Sequence, residues 1–155
     1  MQKNHTLASP ELAEVQLTYR SKQNPMTQPQ IRDPQSAAEY FREIWDESSI
    51  ELAEEFMLLL LNPTKRVLGW ARIAKGSGVA CIVDPAQVFK IALLANANSI
   101  IVGHNHPSGN LRLSSADKAL TMKLVEAGKN LDINLDDHLI LTRWDYTSFS
   151  QQGLL

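Results

Sequence analysis

Two histidines separated by one residue could together hold a metal ion in this protein. They are His104 and His106, and they follow the short apolar run Ser99–Gly103, which predicts a buried strand. In an extended chain, residues i and i+2 point to the same side, so both imidazoles face one point beyond the carboxyl end of that strand. In α/β domains this edge of the sheet is where ligands usually bind.

A carboxylate follows at a distance that lets it join the two histidines. The proline and glycine in residues 107–109 predict a turn, and Ser114 or Ser115 caps a following helix that carries Asp117 in its first turn. Two histidines and one carboxylate are three ligands of the kind that zinc accepts, and they leave a fourth position for water. The sequence therefore predicts a catalytic zinc site made by the two histidines and Asp117.

A zinc-dependent hydrolase also needs a general base, which should come from a neighbouring strand. Glu54 and Glu55 stand at the start of an apolar run that continues through residue 61. By the two-residue repeat of a strand, Glu54 shares a side with Phe56, and Glu55 shares a side with Met57. Spacing alone does not choose between the two glutamates.

The elements that position these residues alternate between helices and strands. Asp33-Pro34 and Asp84-Pro85 each combine a helix N-cap with proline at the first helical position. The order is helix, hairpin, helix, strand, helix, strand, which predicts a three-layer α/β domain with helices covering a sheet. The helices are predicted over residues 34–46, 85–95 and 115–127, and the strands over residues 56–61, 67–73, 99–103 and 137–142.

The polar segment 1–32 holds three of the seven prolines and has no sustained hydrophobic period. We predict that it is a flexible N-terminal arm and that one domain occupies residues 33–155. One cysteine, Cys81, rules out a disulfide within the chain and suits a reducing cytoplasm. We find neither a signal peptide nor the roughly 20 apolar residues of a membrane span, and we expect a cytoplasmic protein.

The charge of the chain does not favour nucleic acid as a partner. The net charge is -2, which provides no electrostatic attraction for strong, non-specific DNA binding. Four cations do cluster in sequence, and we interpret them as the solvated edge of a strand. These cations are Lys65, Arg66, Arg72 and Lys75.

The residues described above resemble the JAB/MPN metalloprotease-like family in its bacterial RadC branch. That superfamily is marked by a glutamate, then H-x-H, seven residues, Ser, two residues and Asp, and this chain fits the pattern without a gap through Ser114 and Asp117. The sequence HNHPSG at 104–109 is characteristic of RadC-like proteins, as is DHLI at 137–140. The resemblance covers residues 35–155.

The resemblance implies a fold and a role for each residue of the motif. The fold is the three-layer JAB/MPN fold, which is cytidine-deaminase-like and has a mixed sheet flanked by helices. The two histidines and Asp117 correspond to the zinc ligands, and Ser114 to the serine that supports the oxyanion of the tetrahedral intermediate. The family glutamate stands two residues before the aromatic residue that opens the strand, which selects Glu54 as the base.

We therefore interpret the chain as a zinc-dependent hydrolase of amide bonds, peptidase or isopeptidase-like, that acts on a peptide or protein. One alternative is a DNA-repair-associated or mobile-element accessory protein that acts on or near DNA. The RadC name carries that label, but longer members have a helix-hairpin-helix region for which the residues before 35 leave no room. The other alternative is a non-catalytic binding module of the same fold. Such a module would be free to lose Glu54, Ser114 and Asp117, which are all present here.

Asp137 and His138 have two possible roles, as a pair that supports the metal ligands or as a hydrogen-bonded pair in the core. We favour the core role. Two positions depart from the patterns of relatives. Asn105 stands where eukaryotic ubiquitin-cleaving relatives have Ser or Thr, and Leu113 stands where RadC-like chains commonly have proline.

We predict that this chain binds duplex DNA only weakly and without sequence preference, because its net charge is negative. The measurement is a fluorescence titration of labelled duplexes at physiological salt. A dissociation constant tighter than ~10⁻⁸ M, the range of specific complexes, would contradict this expectation and favour the DNA-acting alternative.

Overall fold

The computed structural model describes residues 18–20, 22–76 and 82–155. Within these residues, a short 3-10 helix at Pro25–Thr27 precedes three α-helices and five strands. The helices are α1 Pro34–Ile44, α2 Pro85–Leu94 and α3 Ser115–Leu131. The strands are β1 Glu55–Leu61, β2 Val67–Lys75, β3 Ser99–Asn105, β4 Asn134–Leu141 and β5 Tyr146–Ser148.

The five strands form one mixed sheet in the order β2-β1-β3-β4-β5. β1 is antiparallel to β2 and β3, β3 is parallel to β4, and β4 is antiparallel to β5. In this register His104 of β3 lies between Phe56 of β1 and Ile140 of β4. The carboxyl ends of β3 and β4 therefore meet at one edge of the sheet, with His104 held between two strands.

Strand β1 shows how the sheet separates two hydrophobic cores. All seven of its residues are buried, and their side chains alternate between the two faces. On one face Met57, Leu59 and Leu61 pack in the core that includes α1. On the other face Phe56, Leu58 and Leu60 pack in the core that includes α2 and Leu124 of α3. This arrangement confirms the predicted three-layer α/β fold with a mixed sheet.

The helices begin at the residues that the sequence indicated. Asp33 accepts a hydrogen bond from Ser36 N at 2.7 Å, and Asp84 accepts one from Ala86 N at 2.9 Å. Of the two serines proposed as the third cap, Ser114 is the one used. Each such cap satisfies a backbone N–H that has no partner within the helix, and is typically worth about 1 kcal/mol.

Strand β3 is longer than predicted. We expected it to end at Gly103, but it continues to Asn105 because β4 pairs with both of its last two residues and β1 pairs with His104. The third helix also runs on past residue 127, to Leu131, and ends at Asp132 in the left-handed conformation with φ of 54°. Strand ends of this kind depend on the neighbouring strands, which local sequence does not reveal.

Strand β5 was absent from the sequence prediction. It has only three residues, Tyr146–Ser148, which is too short to show an alternating pattern. Its pairing with β4 brings Ser148 opposite Leu139. The last strand of the sheet is thus defined by its partner and not by its own composition.

The described part of the predicted arm is attached to the sheet. Gln30 forms an isolated bridge with Arg66, whose Nη1 donates to Gln28 O at 2.7 Å. Ile31 is buried in the core on the α1 face. The predicted domain boundary at residue 33 therefore lies C-terminal to residues that already pack on the domain. Residues 1–17 and 21 of the predicted arm lie outside the described residues.

The cation cluster lies on and just before β2, which is an edge strand as expected. Lys65 Nζ lies 2.6 Å from Asp136 Oδ2. Arg72 Nε and Lys75 Nζ lie 2.7 and 3.0 Å from the carboxylate of Glu55, which is fully buried. Three of the four cations are thus paired with acidic side chains, whereas Arg66 donates to a backbone carbonyl. None of the helices in the described residues combines the length and the hydropathy that a membrane-spanning helix requires.

We predict that Gly128→Ala destabilises the domain, because a Cβ at this position of α3 would overlap the carbonyl oxygen of Ile133. Overpacking of this kind typically costs about 1–3 kcal/mol. Gly69→Ala is the matched control, because a Cβ there meets no atom within 4 Å. The measurement is urea denaturation of both variants, and equal midpoints would contradict the expected overlap.

Candidate metal centre

The two histidines converge at the carboxyl end of β3. His104 lies within the strand, and His106 follows it directly, with its backbone N–H donated to Leu141 O at 2.9 Å. That bond continues the pairing with β4 and keeps the chain extended past the end of β3. As the i, i+2 spacing predicted, the two rings lie on one side, with their Nε2 atoms 3.0 Å apart.

The N-terminus of α3 delivers the carboxylate. Ser114 caps the helix by accepting from Asp117 N, and its own N–H and hydroxyl donate to Asp117 Oδ2 at 2.7 and 2.6 Å. This reciprocal capping box holds one carboxylate oxygen. The other oxygen, Oδ1, lies 3.2 Å from His104 Nε2. The motif spacing between Ser114 and Asp117 is therefore the spacing of a helix cap.

These three side chains have the chemistry and separation of a metal site. His106 Nδ1 lies 2.5 Å from Asn110 O, and since a carbonyl only accepts, this nitrogen carries the proton and Nε2 of the neutral ring is a lone-pair donor. The ligand atoms of His104, His106 and Asp117 all lie within 4.8 Å of one another. Tetrahedral zinc, with bonds of about 2.0–2.2 Å, places its ligand atoms roughly 3.3 Å apart. The residues present fit such an ion.

Asp117 is ready to bind a cation without first losing a proton. Burial by itself raises the pKa of its carboxyl group. The contact with His104 and the hydrogen bonds that Asp117 accepts from Ser114 outweigh this effect, and the pKa of Asp117 lies well below its ordinary value. The side chain is therefore an anion throughout the physiological pH range.

The two glutamates lie on opposite faces of the sheet. Glu54, directly before β1, is half-buried and lines one cavity of about 600 Å³ together with His104, His106 and Asp117. Glu55 lies on the other face, where it is buried against Arg72 and Lys75. The structure thus places Glu54, and not Glu55, at the candidate metal centre.

Asn105, the residue between the two histidines, positions the segment that carries Glu54. Its side chain points to the opposite side of β3, where Nδ2 donates to Ile50 O and Ala53 O at 2.7 and 2.8 Å. Its Oδ1 accepts from Glu55 N at 2.7 Å. Sequence reasoning treated this residue only as a departure from relatives, although a buried amide inside H-x-H is a signal of a structural role.

His138 is buried and contacts the candidate ligand His104 on the side away from the candidate metal centre. Its Nε2 lies 2.9 Å from His104 Nδ1, and its Nδ1 lies 2.6 Å from Thr121 Oγ1. The ring stacks on Phe149 with 4.7 Å between centroids. Burial, and secondarily the proximity of His104, lowers the pKa of His138 well below its ordinary value, so the ring is neutral.

Asp137 and His138 are both buried and hydrogen-bonded, as the preferred core role predicts, but His138 also contacts the candidate ligand His104. The two residues are adjacent in β4, so their side chains point to opposite faces. Asp137 is buried on the α1 face and accepts from Ser148 Oγ, Ser150 N and Ser150 Oγ at 2.6–3.0 Å. It holds the C-terminal segment, while His138 supports a candidate ligand. Thr121, which sequence reasoning missed, joins this group because it lies one helical turn after Asp117.

The candidate metal centre lies where two cavities meet. Glu54, His106 and Ser114 line both of them. The larger cavity is walled by apolar side chains of α2, of α3 and of the segment just before α2: Val83, Pro85, Ala116, Ala119 and Leu120. The other, of about 530 Å³, is walled by the turn after His106 and includes Asn110 and Arg112. An extended peptide could therefore lie across the three candidate ligands, with one part in each cavity.

Comparison with known proteins identifies one matching family model. The model, described as a RadC-like JAB domain, matches residues 31–154. This range includes all the residues of the candidate centre.

Curated relatives with the name UPF0758 protein are similar over much of the chain. One from Symbiobacterium thermophilum is 34% identical over 93% of this chain and 60% of its own length. One from Flavobacterium johnsoniae is 45% identical over 65% of this chain and 44% of its own length. The protein YfjY of Escherichia coli is 42% identical over 66% of this chain and 64% of its own length. The chain thus spans about half of the length of these relatives.

We predict that the purified protein holds one divalent metal ion per chain and that the double variant His104→Ala/His106→Ala holds none. Asp117→Asn should weaken metal binding by removing the anionic ligand. Asp46→Asn, at an exposed position, is the control and should leave the metal content unchanged. Elemental analysis measures the ratio, and a metal content unaffected by the histidine substitutions would refute the site.

Proposed function

The chain belongs to the family of RadC-like JAB domains, and from this premise and the geometry of the site we propose that it is a zinc-dependent hydrolase of amide bonds, peptidase or isopeptidase-like. One observation carries the proposal. The two imidazole Nε2 atoms and the Asp117 carboxylate converge beside Glu54 in a single open cavity. Metal-dependent hydrolysis requires three metal ligands and a neighbouring carboxylate that is not itself a ligand.

The ligand set favours zinc over harder ions. Two neutral imidazoles and one carboxylate suit zinc, whereas calcium and magnesium prefer sites built from oxygen atoms alone. When bound, zinc supplies a Lewis acid and lowers the pKa of a coordinated water to about 7. His104, His106 and Asp117 are the residues that would hold it.

Glu54 is the general base in this proposal. Its carboxylate accepts a proton from the attacking water as the new C–O bond forms at the substrate carbonyl. It then donates that proton to the amide nitrogen as the C–N bond breaks, so the amine leaves neutral. Such transfer typically contributes about 10²–10⁴-fold to the rate. Glu54 is half-buried, so its carboxylate lines the cavity and can still exchange a proton with solvent.

Ser114 has two tasks in the proposed reaction. Its hydroxyl donates to Asp117 Oδ2, which orients the carboxylate. Rotation about the Cβ–Oγ bond redirects the same proton into the cavities that Ser114 lines, where the oxyanion of the tetrahedral intermediate develops. The backbone N–H of Ser114 continues to hold Asp117 Oδ2 during this rotation.

The proposed substrate is a peptide or protein chain that extends on both sides of the scissile bond. The two cavities that meet at Glu54 and His106 differ in character, one being largely apolar and the other containing Asn110 and Arg112. A peptide or protein chain would fill both cavities, whereas a small amide would fill neither of them. We assign the activity to the cytoplasm, since a chain with a lone cysteine suits a reducing compartment.

We predict that Glu54→Gln retains zinc and loses turnover by about 10²–10⁴-fold, because the amide keeps the shape of the side chain but accepts no proton. Cleavage is measured on a proteome-derived peptide library, with new termini identified by mass spectrometry. Glu55→Gln is the matched control. It weakens the buried pairs with Arg72 and Lys75 and therefore lowers stability, but it leaves cleavage intact.

Two results would count against the hydrolase. A zinc-loaded Glu54→Gln protein that cleaves at the rate of the parent protein removes Glu54 as the base. A zinc-loaded parent protein with no cleavage in the library favours the non-catalytic binding module.

A further inference from the structure

Two buried side chains behind His104 have no part in the chemistry proposed above. They form a chain of hydrogen bonds in which His104 Nδ1 lies 2.9 Å from His138 Nε2, and His138 Nδ1 lies 2.6 Å from Thr121 Oγ1. The Thr121 hydroxyl donates in turn to Asp117 O at 2.7 Å. All three side chains are at most 2% exposed, so water does not compete for these bonds.

The hydrogen bond at the end of this chain sets the direction of the others. A carbonyl oxygen only accepts, so Thr121 donates its single hydroxyl proton to Asp117 O. The oxygen Oγ1 of Thr121 then accepts from His138 Nδ1–H. Neutral His138 then has a bare Nε2, which accepts from His104 Nδ1–H. Neutral His104 is left with a lone pair on Nε2, the nitrogen that faces the candidate ligands His106 and Asp117.

The opposite direction produces a site that does not bind metal. If Thr121 donates to His138 Nδ1, then His138 donates from Nε2 to His104 Nδ1. The proton of His104 then sits on Nε2 and points toward Asp117 Oδ1 at 3.2 Å. Both directions contain the same number of protons, and they differ only in which acceptor receives the hydroxyl proton of Thr121.

We propose that Thr121 and His138 are positioning residues that select the metal-binding tautomer of His104. This inference rests on the proposed metal centre and adds to it the group that controls its affinity. This hydrogen-bond relay from Thr121 through His138 to His104 also connects the parts of the site. His104 lies on β3, His138 on β4 and Thr121 on the helix that supplies Asp117. Partners that orient a metal-ligating histidine typically change metal affinity by 10–100-fold.

The test uses Thr121→Val, which keeps the shape of the side chain and removes the hydroxyl. His138 Nδ1 then has no hydrogen-bond partner at the end of the relay, and we expect the zinc dissociation constant to rise by about 10–100-fold. Thr121→Ser restores the hydroxyl and should return the affinity to that of the parent protein. The measurement is competition of the zinc-loaded proteins with a chromophoric chelator, in parallel with circular dichroism.

The control is Thr142→Val, at a second buried threonine. The hydroxyl of Thr142 accepts from Trp144 N and Asp145 N and does not contact the metal centre. This variant loses stability but should keep its zinc affinity. A general loosening of the fold would weaken zinc binding in both valine variants, whereas the relay predicts a loss only at Thr121.

A spectroscopic measurement tests the tautomers directly. Long-range ¹H–¹⁵N spectra of the zinc-loaded parent protein with labelled histidine should show the proton of both His104 and His138 on Nδ1. Parent-like affinity in Thr121→Val, or a proton on Nε2 of His138, overturns the relay and leaves the proposed zinc centre standing. A parent protein that holds no zinc overturns both proposals.

Discussion

The pairing of β3 with a strand on each side is the constraint on which the candidate site depends. Phe56 and Ile140 flank His104 in the sheet, so the position and facing of that imidazole are set by two hydrogen-bonded ladders. Because side chains alternate, a shift of register by one residue would turn His104 toward α1 and place Asn105 at the site. The burial of both faces penalises such a shift, since apolar side chains of β1 and β3 fill both cores.

The two faces of the sheet divide the polar residues into two groups with different tasks. On the α2/α3 face, His104, His138 and Thr121 are buried in a connected hydrogen-bond chain that ends at the candidate metal centre. On the α1 face, Glu55 is paired with cations and Asp137 is hydrogen-bonded to the C-terminal segment. Neighbours in sequence, such as Asp137 and His138, therefore have separate roles. The buried histidines and Asp137 are hydrogen-bonded, whereas the buried carboxylate of Glu55 is compensated by ion pairs.

The start of α3 combines a structural role and a chemical one in the same residues. Ser114 and Asp117 form a reciprocal helix cap, and the same bonds hold the carboxylate for His104 and lower its pKa. A helix N-terminus stabilises a negative charge, so the carboxylate is favoured here before any cation binds. Substitution of either residue is thus expected to affect folding and metal binding together, which is why measurements of metal content need a stability measurement beside them.

The sequence by itself determined the three-layer α/β class, the helix caps, the shared side of His104 and His106, and the delivery of Asp117 by a capped helix. These features are local, because the two-residue repeat of a strand and the spacing of a cap operate within a few residues. Only the tertiary structure decided that β3 extends to Asn105, that β5 exists and that His138 and Thr121 stand behind His104. The two-residue repeat of β1 put Glu54 on the same face as Phe56. Only the pairing of β1 with β3 placed that face against the two histidines. Each of these depends on contacts between residues far apart in sequence, and a hydrogen bond between two strands leaves no periodic signal in either one.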